Sequence, residues 1–382
     1  MVALCEGVSA LGVEAEIVSI RTRLNPAEPK HPEFKELYQI ESPLRHTELS
    51  FESFPETGPG WAGRIVRLVL YSRFAIALGL RDRRVSDTYR IVCARNFAIL
   101  WMLSLLKKVF RLPWVVLADV HGPTKGRFQR FVHRQVDGNV CISKFLAKHL
   151  QRECSLEDTR VCVAHSGVKP SRFQSQESKS EAASRLGLPQ DRPIVCYTGK
   201  VYYRYEEVAY LLEAAAELRD EVHWVIVGGR PDQIPPWQKE CSAKGINNVV
   251  FTGFRPPSEI PAYLKAADLL VLYYSRSPLN DYRSPGKLFE YLASGTPLVA
   301  GRFEGVAEVV RDGINGYLVD PYEPKLLAHK VRALLSHREG SAAVGNRAIE
   351  TATHYTWKDR AAAFLQYAER LRAASLGPRN SN

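Results

Sequence analysis

Residues 284–301 read SPGKLFEYLASGTPLVAG, and their pattern predicts a helix followed by a short buried strand. Ser284 is a common helix N-cap, and Pro285 suits the first helical position because its missing N–H would have no helical partner there. Three apolar side chains then recur at helical spacing and should face a core: Leu288, Phe289 and Leu292. Gly295 and Pro297 end the helix, and the apolar run after them has the length of a buried strand.

The start of this helix carries an unusual arrangement of charge. Arg283 precedes the helix and Lys287 lies in its first turn, where the helix dipole already presents partial positive charge. Cations are expected there if an anion docks, and Gly286 would let that anion approach the backbone. Glu290 lies on the same face as Lys287, so the pair could hold a phosphate beside a hydroxyl-rich group. From the spacing alone, an ordinary solvated helix face is the simpler interpretation.

The segment KLFEYLASGTPLVAG, followed by EGVAEVVRDGINGYLVDP, closely resembles the donor-site segment of family 4 glycosyltransferases, which are retaining enzymes of the GT-B fold. The resemblance is close over residues 160–360 and looser over residues 1–150. It implies an α/β chain with two Rossmann-like, doubly wound domains that face a cleft. It also implies that a carboxylate at the position of Glu290 holds the ribose hydroxyls of a nucleotide-sugar.

The second half of the sequence alternates between strand and helix patterns, with predicted strands at Pro193–Gly199, Val222–Gly229, Asn248–Gly253, Leu269–Tyr274, Pro297–Gly301 and Gly316–Asp320. Six βα units predict a parallel, doubly wound sheet. We therefore expect an acceptor-side domain over residues 1–168 and a nucleotide-sugar-binding domain over residues 169–356. The polar stretch Pro170–Pro189 is interpreted as a linker. In the family, a C-terminal helix such as 357–374 packs back on the N-terminal domain.

The first half opens with a predicted helix over residues 1–12 and a strand over Glu14–Arg21, and residues 24–59 predict little regular structure. Ala62–Leu80 predicts a core helix, with a basic amphipathic helix on a bilayer as the alternative. In the family a first strand and a glycine-rich loop precede the opening helix. The resemblance therefore implies that both lie upstream of Met1. The remaining predicted elements are strands at Tyr89–Arg95, Trp114–Val120 and Asn139–Ser143 and helices at Phe97–Phe110 and Lys144–Glu153.

Composition indicates a globular chain of two domains, because 382 residues with 45% hydrophobic and 10% aromatic content can bury two cores of ordinary size. The 7 cysteines show no CxxC pair or zinc spacing and predict reduced thiols in a cytoplasmic protein. No secretory signal pattern is present, and no run reaches the ~18–20 apolar residues that a spanning helix needs.

The formal net charge of +11 is concentrated in one region. Residues 61–134 contain 15 Lys plus Arg against 3 Asp, which gives this stretch +12 and leaves the rest of the chain near neutral. A one-sided basic region predicts an anionic partner for the N-terminal half: an acidic glycan, an anionic membrane surface or nucleic acid. For the glycosyltransferase that the resemblance implies, the expected partners are the glycan or lipid-linked acceptor and the inner face of an anionic membrane, and no nucleic acid is expected. A basic surface that only aids solubility is the alternative.

Further donor-site residues follow from the resemblance. After the first strand of the second half, the family has an arginine directly after a glycine and a lysine five residues later, and both hold the donor diphosphate. Gly199 corresponds to that glycine, and Lys200 follows it with the same charge as the family's arginine. Arg204 is the basic residue nearest to the position of the family's lysine. A solvent-exposed loop is the alternative. Gly305 lies at the start of another predicted helix and offers a second phosphate cradle.

The catalytic candidates are Glu290 and His121. His121 follows a predicted strand in ADVHG and resembles a family histidine near the reaction centre, whereas a loop histidine bonded to the backbone is the alternative. The family motif E-x7-E has its first glutamate where this chain has Tyr282. The departure matters, because that carboxylate normally lies near the sugar in the family. Subfamilies with the SPxKLFEY pattern often lack it, so we interpret the departure as variation and not as loss of function.

No D-x-D triplet is present, so we predict a reaction without metal in which cations and helix dipoles neutralise the leaving group. No cofactor is expected, because the nucleotide-sugar is a substrate. The sequence thus predicts a glycosyltransferase of the hexosyltransferase type that transfers a sugar to a glycan or lipid-linked acceptor in polysaccharide biosynthesis. A same-fold nucleotide-sugar epimerase and a degenerate, non-catalytic binding protein are the alternatives.

Overall fold

The computed structural model describes residues 2–21, 45–50, 73, 75–79, 89–201, 207–274, 276–337 and 339–376. Arg204 and most of the predicted helix 62–80 lie outside the described residues. The chain divides into two compact units. The N-terminal unit comprises Met1–His165 and Trp357–Asn382, and the C-terminal unit comprises Ser166–Thr356.

The described residues of the N-terminal unit form two parallel sheets. The smaller sheet pairs β1 (Glu16–Arg21) with β2 (Arg45–Ser50). The larger sheet has the order β3-β4-β5-β6, in which the strands are Arg90–Ala94, Trp114–Val120, Gly138–Cys141 and Val161–Val163. Strand β4 is buried along its whole length, as expected for WVVLADV in the middle of a sheet.

Strand β2 lies within residues 24–59, where the sequence predicts little regular structure, and the rest of that range lies outside the described residues. Its sequence RHTELS lacks the apolar alternation that marks a half-buried strand. The strand is defined by its parallel pairing with β1, which runs from Glu16 opposite Arg45 to Arg21 opposite Ser50. Such a pairing depends on distant parts of the chain, so local pattern did not reveal it.

Helices cover the larger sheet of the N-terminal unit: α1 Val2–Ser9, α2 Phe97–Phe110, α3 Arg127–Gln135, α4 Lys144–Cys154 and the C-terminal helix Trp357–Leu376. Asn96 caps α2 by accepting the N–H groups of Ala98 and Ile99. The C-terminal helix packs on α1, β4 and β5. Its Phe364 and Tyr367 share a core with Leu117 of β4.

The C-terminal unit is one parallel six-stranded sheet, with β7 Ile194–Thr198, β8 His223–Val227, β9 Val249–Gly253, β10 Leu269–Leu272, β11 Leu298–Gly301 and β12 Tyr317–Val319. The spatial order is β12-β11-β10-β7-β8-β9. All six lie within the predicted strands. Two cores cover the two faces, and alternate residues of β7 divide between them, Cys196 in one and Val195 and Tyr197 in the other. This arrangement is a doubly wound sheet.

The helices of the C-terminal unit are α5 Lys179–Arg185, α6 Glu207–Glu217, α7 Ile234–Ala243, α8 Ile260–Ala266, α9 Gly286–Ser294, α10 Glu304–Ala307, α11 Pro324–Ser336 and α12 Glu339–Thr353. Short 3-10 turns lie at Asp158–Arg160 in the N-terminal unit and at Pro170–Phe173, Pro231–Gln233 and Asn280–Tyr282 in the C-terminal unit. The three apolar side chains predicted to face a core from α9 are fully buried.

The predicted linker Pro170–Pro189 is instead part of the C-terminal unit. It forms a 3-10 turn and the helix α5, which begins with a capping box between Ser178 and Glu181. Ala182 and Ala183 are buried in the core of the unit. The segment looked like a linker because only one narrow face of α5 is apolar, and that face consists of small residues.

Candidate functional site

The order of strands reverses between β7 and β10, and the two strands pair only over Leu269 with Val195 and Leu270 with Cys196. In the described sheet the two strands form no pairing beyond Cys196, and a crevice at the carboxyl ends of the strands is typical of such a reversal. Ligands of open α/β sheets bind at such a switch point. The residues that fill this crevice therefore define the candidate site.

Helix α9 supplies the side chains that reach into the crevice. The Tyr291 hydroxyl accepts the N–H of Thr198 at 2.8 Å and lies 3.0 Å from its Oγ1. The Lys287 ammonium donates to the Thr198 carbonyl at 3.2 Å. The two side chains thus bind the backbone N–H and carbonyl of Thr198, at a point of β7 that lies beyond its pairing with β10 in the described sheet. The helix is therefore fixed against the switch point.

The start of α9 differs from the prediction that Ser284 caps the helix and Pro285 opens it. The first helical residue is Gly286, because Pro285 is extended at φ −73° and ψ 143°. Ser284 is buried, and its carbonyl accepts the hydroxyl of Ser166 at 3.0 Å, which holds it outside the helix. The cap residue, Pro285, makes no side-chain hydrogen bond to the first turn of α9. The N–H groups at such a helix start can bind an anion.

Lys287 is enclosed by aromatic rings. Its Nζ lies 4.2 Å from the ring centroid of Tyr197 and 5.3 Å from that of Tyr274. Burial lowers the pKa of Lys287 to about 8, with Glu207 opposing and Arg283 reinforcing the change. Below that pH the site therefore holds a poorly solvated cation, which an anion would stabilise.

Arg283 and Glu207 form a second layer around this lysine. The Arg283 guanidinium lies 4.6 Å from the Tyr274 ring centroid and 3.6 Å from Glu207 Oε1. Glu207, at the start of α6, also accepts the Tyr197 hydroxyl at 3.1 Å. Sequence reasoning missed Glu207, because nothing in its local pattern indicates that it contacts residues on two distant segments.

Glu290 is partly buried on the same face of α9. Burial raises its pKa, while the charges of Arg172 and Lys287 oppose that rise. No hydrogen bond or ion pair of this carboxylate is formed within the described part of the chain. Arg172 comes from the segment that was interpreted as a linker, so its place beside Glu290 was also missed. Its guanidinium donates to the Pro257 carbonyl at 2.5 Å.

Glycines let three loop backbones meet at the carboxyl edge of the sheet. Gly199 N–H donates to the Val227 carbonyl at 2.9 Å, and Gly228 N–H donates to the Gly253 carbonyl at 2.9 Å. Gly228 has φ +128°, and a Cβ there would overlap the carbonyl oxygen of Gly199. The exposed Lys200 follows Gly199 directly. The structure thus brings Gly199, Lys200, Lys287 and Arg283 to one edge, while Arg204 lies outside the described residues.

Gly305 occupies a tighter place than an open phosphate cradle. A Cβ there would overlap the carbonyl oxygen of Arg283. The neighbouring N–H of Glu304 already donates to Asp281 Oδ1 at 3.2 Å. The helix α10 that follows is only 4 residues long. The role of Gly305 stays a prediction, and its visible function is to let α10 pack against the loop before α9.

His121 lies at the carboxyl end of β4 in the N-terminal unit. Its Nε2 is 2.9 Å from Asp119 Oδ2, so it is held by a carboxylate rather than by the backbone. Arg95 and Arg360 also bind Asp119, each at 2.7 Å. Burial alone would raise the pKa of Asp119, but the hydrogen bond with His121 and the nearby cations hold it well below its usual range.

Neither a metal site nor a membrane-spanning helix is found in the part of the chain that is described. No group of three or more His, Cys, Asp or Glu side chains there could hold a metal ion. None of the described helices is long and apolar enough to cross a bilayer. All seven cysteines have free thiols.

The two larger parallel sheets and their flanking helices are Rossmann-like, and the C-terminal sheet has a switch point between β7 and β10. Comparisons with known proteins give more detail. Residues 192–337 match the sequence model of the family described as Glycosyl transferases group 1. The chain is 30% identical over 233 residues to the D-inositol 3-phosphate glycosyltransferase of Streptomyces avermitilis, covering 57% of this chain and 48% of that protein. It is 31% identical over 246 residues to the enzyme of the same name from Streptomyces scabiei, covering 60% and 53%. The chain thus spans about half the length of the curated relatives it matches.

Solved structures agree over nearly the whole chain. A glycosyltransferase from Rickettsia africae aligns with a TM-score of 0.76 at 17% identity, covering 97% of this chain and 93% of that one. Anabaena Alr3699/HepE in complex with UDP-glucose aligns with a TM-score of 0.70 at 19% identity, covering 97% and 95%. These likenesses confirm the predicted fold, an α/β chain close to the GT-B glycosyltransferases. The match over residues 192–337 and the relatives named as glycosyltransferases agree with the predicted class of enzyme, a transferase of the glycosyltransferase type.

Proposed function

We propose that this protein is a glycosyltransferase that moves a sugar from a nucleotide-sugar donor to a glycan or lipid-linked acceptor. The observation that carries the proposal is the uncapped start of α9 at the switch point, where Lys287 and Glu290 share one face. Support comes from the relatives named as glycosyltransferases and from the Anabaena structures, which contain UDP or UDP-glucose.

The donor diphosphate is proposed to bind at the first turn of α9. Its N–H groups, Lys287 and Arg283 would neutralise the phosphates, and Lys200 lies on the adjoining loop. Arg204 and Gly305 complete the predicted set. The close backbone approach at Gly199 leaves that side of the site free of side-chain bulk. A buried cation that a phosphate can pair with gains more from binding than a solvated one.

Glu290 is proposed to hold the ribose. A carboxylate partly removed from water gains from two hydroxyl donors, and it has no hydrogen-bond donor within the described residues. Burial raises its pKa, whereas hydrogen bonds from ribose would stabilise its ionised form. Binding of ribose would thus supply the Glu290 carboxylate with the hydrogen-bond donors that the described residues do not provide.

Assignment to family 4, retention of configuration and independence of metal are parts of the same proposal. Leaving-group charge on the diphosphate would be stabilised by Lys287, Arg283 and the dipole of α9. In the N-terminal unit, His121 is proposed to lie near the reaction centre on the acceptor side. Asp119 fixes one of its ring nitrogens, which sets the tautomer that the other nitrogen presents. The free thiols are consistent with work in the cytoplasm, at the inner face of a membrane when the acceptor is lipid-linked.

One observation favours a second candidate, a non-catalytic binding protein: Tyr282 stands where the E-x7-E motif has its first glutamate. Turnover of a panel of nucleotide-sugars with and without acceptors separates the candidates. Acceptor-dependent release of nucleotide supports transfer, and acceptor-independent change of the sugar supports an epimerase. Nucleotide binding without either reaction supports the binding protein.

The assignment of Glu290 is tested in the same assay. Glu290→Gln should reduce transfer at least tenfold, because an amide cannot accept both ribose hydroxyls. Glu350→Gln is the matched control, since Glu350 is exposed on α12 of the same unit. Equal turnover by the two variants would show that Glu290 does not hold the ribose of the donor.

A further inference from the structure

Helices α2 and α3 of the N-terminal unit present large apolar side chains to solvent. Among the described residues, eleven large apolar side chains are exposed, and five of them lie on these two helices: Leu105, Val109, Phe110, Phe128 and Phe131. Scattered apolar residues are ordinary on a protein surface, but a concentration of this kind marks an interaction site. We call these five side chains the apolar surface.

Two contacts join the helices that carry the apolar surface. The rings of Trp101 on α2 and Phe128 on α3 meet edge to face, with centroids 6.3 Å apart. The Lys108 ammonium donates to Gln135 Oε1 at 2.7 Å. Phe128 and Phe131 are 49% and 45% exposed and lie one turn apart, so both rings emerge from the same side of α3.

The charge around the apolar surface is strongly positive. Residues 97–135 contain seven Lys and Arg and a single carboxylate, the buried Asp119. Lys107 and Arg130 bind the neighbouring Asp137 and Glu153. Of the five remaining cations, Arg134 donates to the Cys154 carbonyl at 2.8 Å. The other four are exposed and make no ion pair with any described carboxylate: Lys108, Arg111, Lys125 and Arg127.

We propose that the apolar surface and these four cations dock the protein on an anionic lipid bilayer. Phenylalanine, leucine and valine side chains would enter the boundary between headgroups and acyl chains, while the cations stay among the headgroup phosphates. Charge complementarity selects an anionic leaflet. The aliphatic Leu105 and Val109 favour hydrocarbon over a nucleic acid, whose bases stack on aromatic rings.

Each cation near an anionic leaflet raises the membrane binding constant by slightly less than about tenfold. The two half-exposed phenylalanines together contribute about as much as two such cations, because entry into the bilayer removes their remaining exposed surface from water. Neither term suffices alone, so the structure predicts reversible docking that needs both. The inference goes beyond the proposed function, and docking would occur in a protein without transferase activity.

The test is sedimentation of the full chain with sucrose-loaded vesicles of phosphatidylcholine, with or without phosphatidylglycerol. We expect binding only to vesicles that contain phosphatidylglycerol. Phe128→Ala with Phe131→Ala should lower the partition coefficient about 30-fold, which equals about 2 kcal/mol at about 1.4 kcal/mol per tenfold. Lys125→Gln with Arg127→Gln should have a similar effect.

Matched controls come from the C-terminal unit. Ile314→Ala with Leu326→Ala removes apolar side chains of similar exposure, 43% and 44%, and should leave the partition coefficient unchanged. Melting temperatures of all variants establish that each is folded. The proposal is overturned if the protein does not sediment with either vesicle, or if the control pair loses as much binding as the phenylalanine pair. Binding that responds to the cations but not to the phenylalanines would also overturn it, because that pattern describes attraction to any polyanion.

Discussion

Replacing Lys287 with methionine should stabilise the free protein while removing its response to nucleotide. Burial lowers the pKa of Lys287 from its ordinary value of 10.5 to about 8, so at neutral pH the charged side chain costs the folded state about 3 kcal/mol relative to its neutral form. Methionine has similar length and no charge. It forfeits the hydrogen bond to Thr198, worth about 1 kcal/mol. The expected gain in the free energy of unfolding is therefore about 1–2 kcal/mol at pH 7.

The assay is urea unfolding of wild type and Lys287→Met, followed by thermal melts with and without UDP. Wild type should gain about 2.7 kcal/mol when UDP is present at about 100 times its dissociation constant, and the variant should gain far less. Lys239→Met, at an exposed position on α7, is the control and should behave as wild type in both experiments. A variant that is less stable than wild type and keeps its full response to UDP would show that Lys287 neither destabilises the free protein nor binds the diphosphate.

The remaining predictions concern pH and packing. Because the folded-state pKa of Lys287 lies below its unfolded value, wild-type stability should rise between about pH 8 and pH 10.5 while UDP affinity falls, as urea unfolding and calorimetry at several pH values will measure. Tyr291→Phe should cost about 1–3 kcal/mol in urea unfolding, because the buried Thr198 N–H loses its acceptor; unchanged stability would show that water replaces the hydroxyl. Asp119→Asn should cost about 3 kcal/mol, since Arg360 would remain charged and buried. The depressed pKa of Asp119 also predicts that wild-type stability is lost as the pH falls below about 4, and a flat acid profile would contradict this.

The architecture of the C-terminal unit could be predicted because its strands are short apolar runs bounded by glycine and polar turns. All six predicted strands contain an observed strand, and Phe97–Phe110 and Trp114–Val120 have the observed bounds. Where apolar residues form a clear local pattern, their burial determines the secondary structure, so the local sequence is enough to predict it. Strand β2 lacks that pattern and depends on its pairing with β1.

The candidate site was predictable only in part. Lys287 and Glu290 were found because they lie on the helix that carries the resemblance, and the structure places them at the switch point. Glu207 and Arg172 reach that point from other segments of the chain. Tyr291 lies on α9 itself, but its hydroxyl accepts the N–H of Thr198, which is 93 residues away in the sequence. Such contacts follow from the tertiary fold and leave no mark on local spacing.

The start of α9 shows how a tertiary contact shifts a boundary. Ser284 has the residue type of an N-cap, yet it is buried and its carbonyl accepts the hydroxyl of Ser166, which holds it outside the helix. The cap position passes to Pro285, whose side chain accepts no hydrogen bond. The consequence for function is direct, because an uncapped first turn is what an anion requires.

Diffraction from crystals of the protein grown with UDP would test whether the first turn of α9 binds the diphosphate of a nucleotide donor. We expect diphosphate oxygens within hydrogen-bond distance of the Gly286 and Lys287 N–H groups and of Lys287 Nζ, with both ribose hydroxyls on Glu290. Electron density for UDP at another place on the protein, or a ribose that contacts no carboxylate of α9, would contradict it.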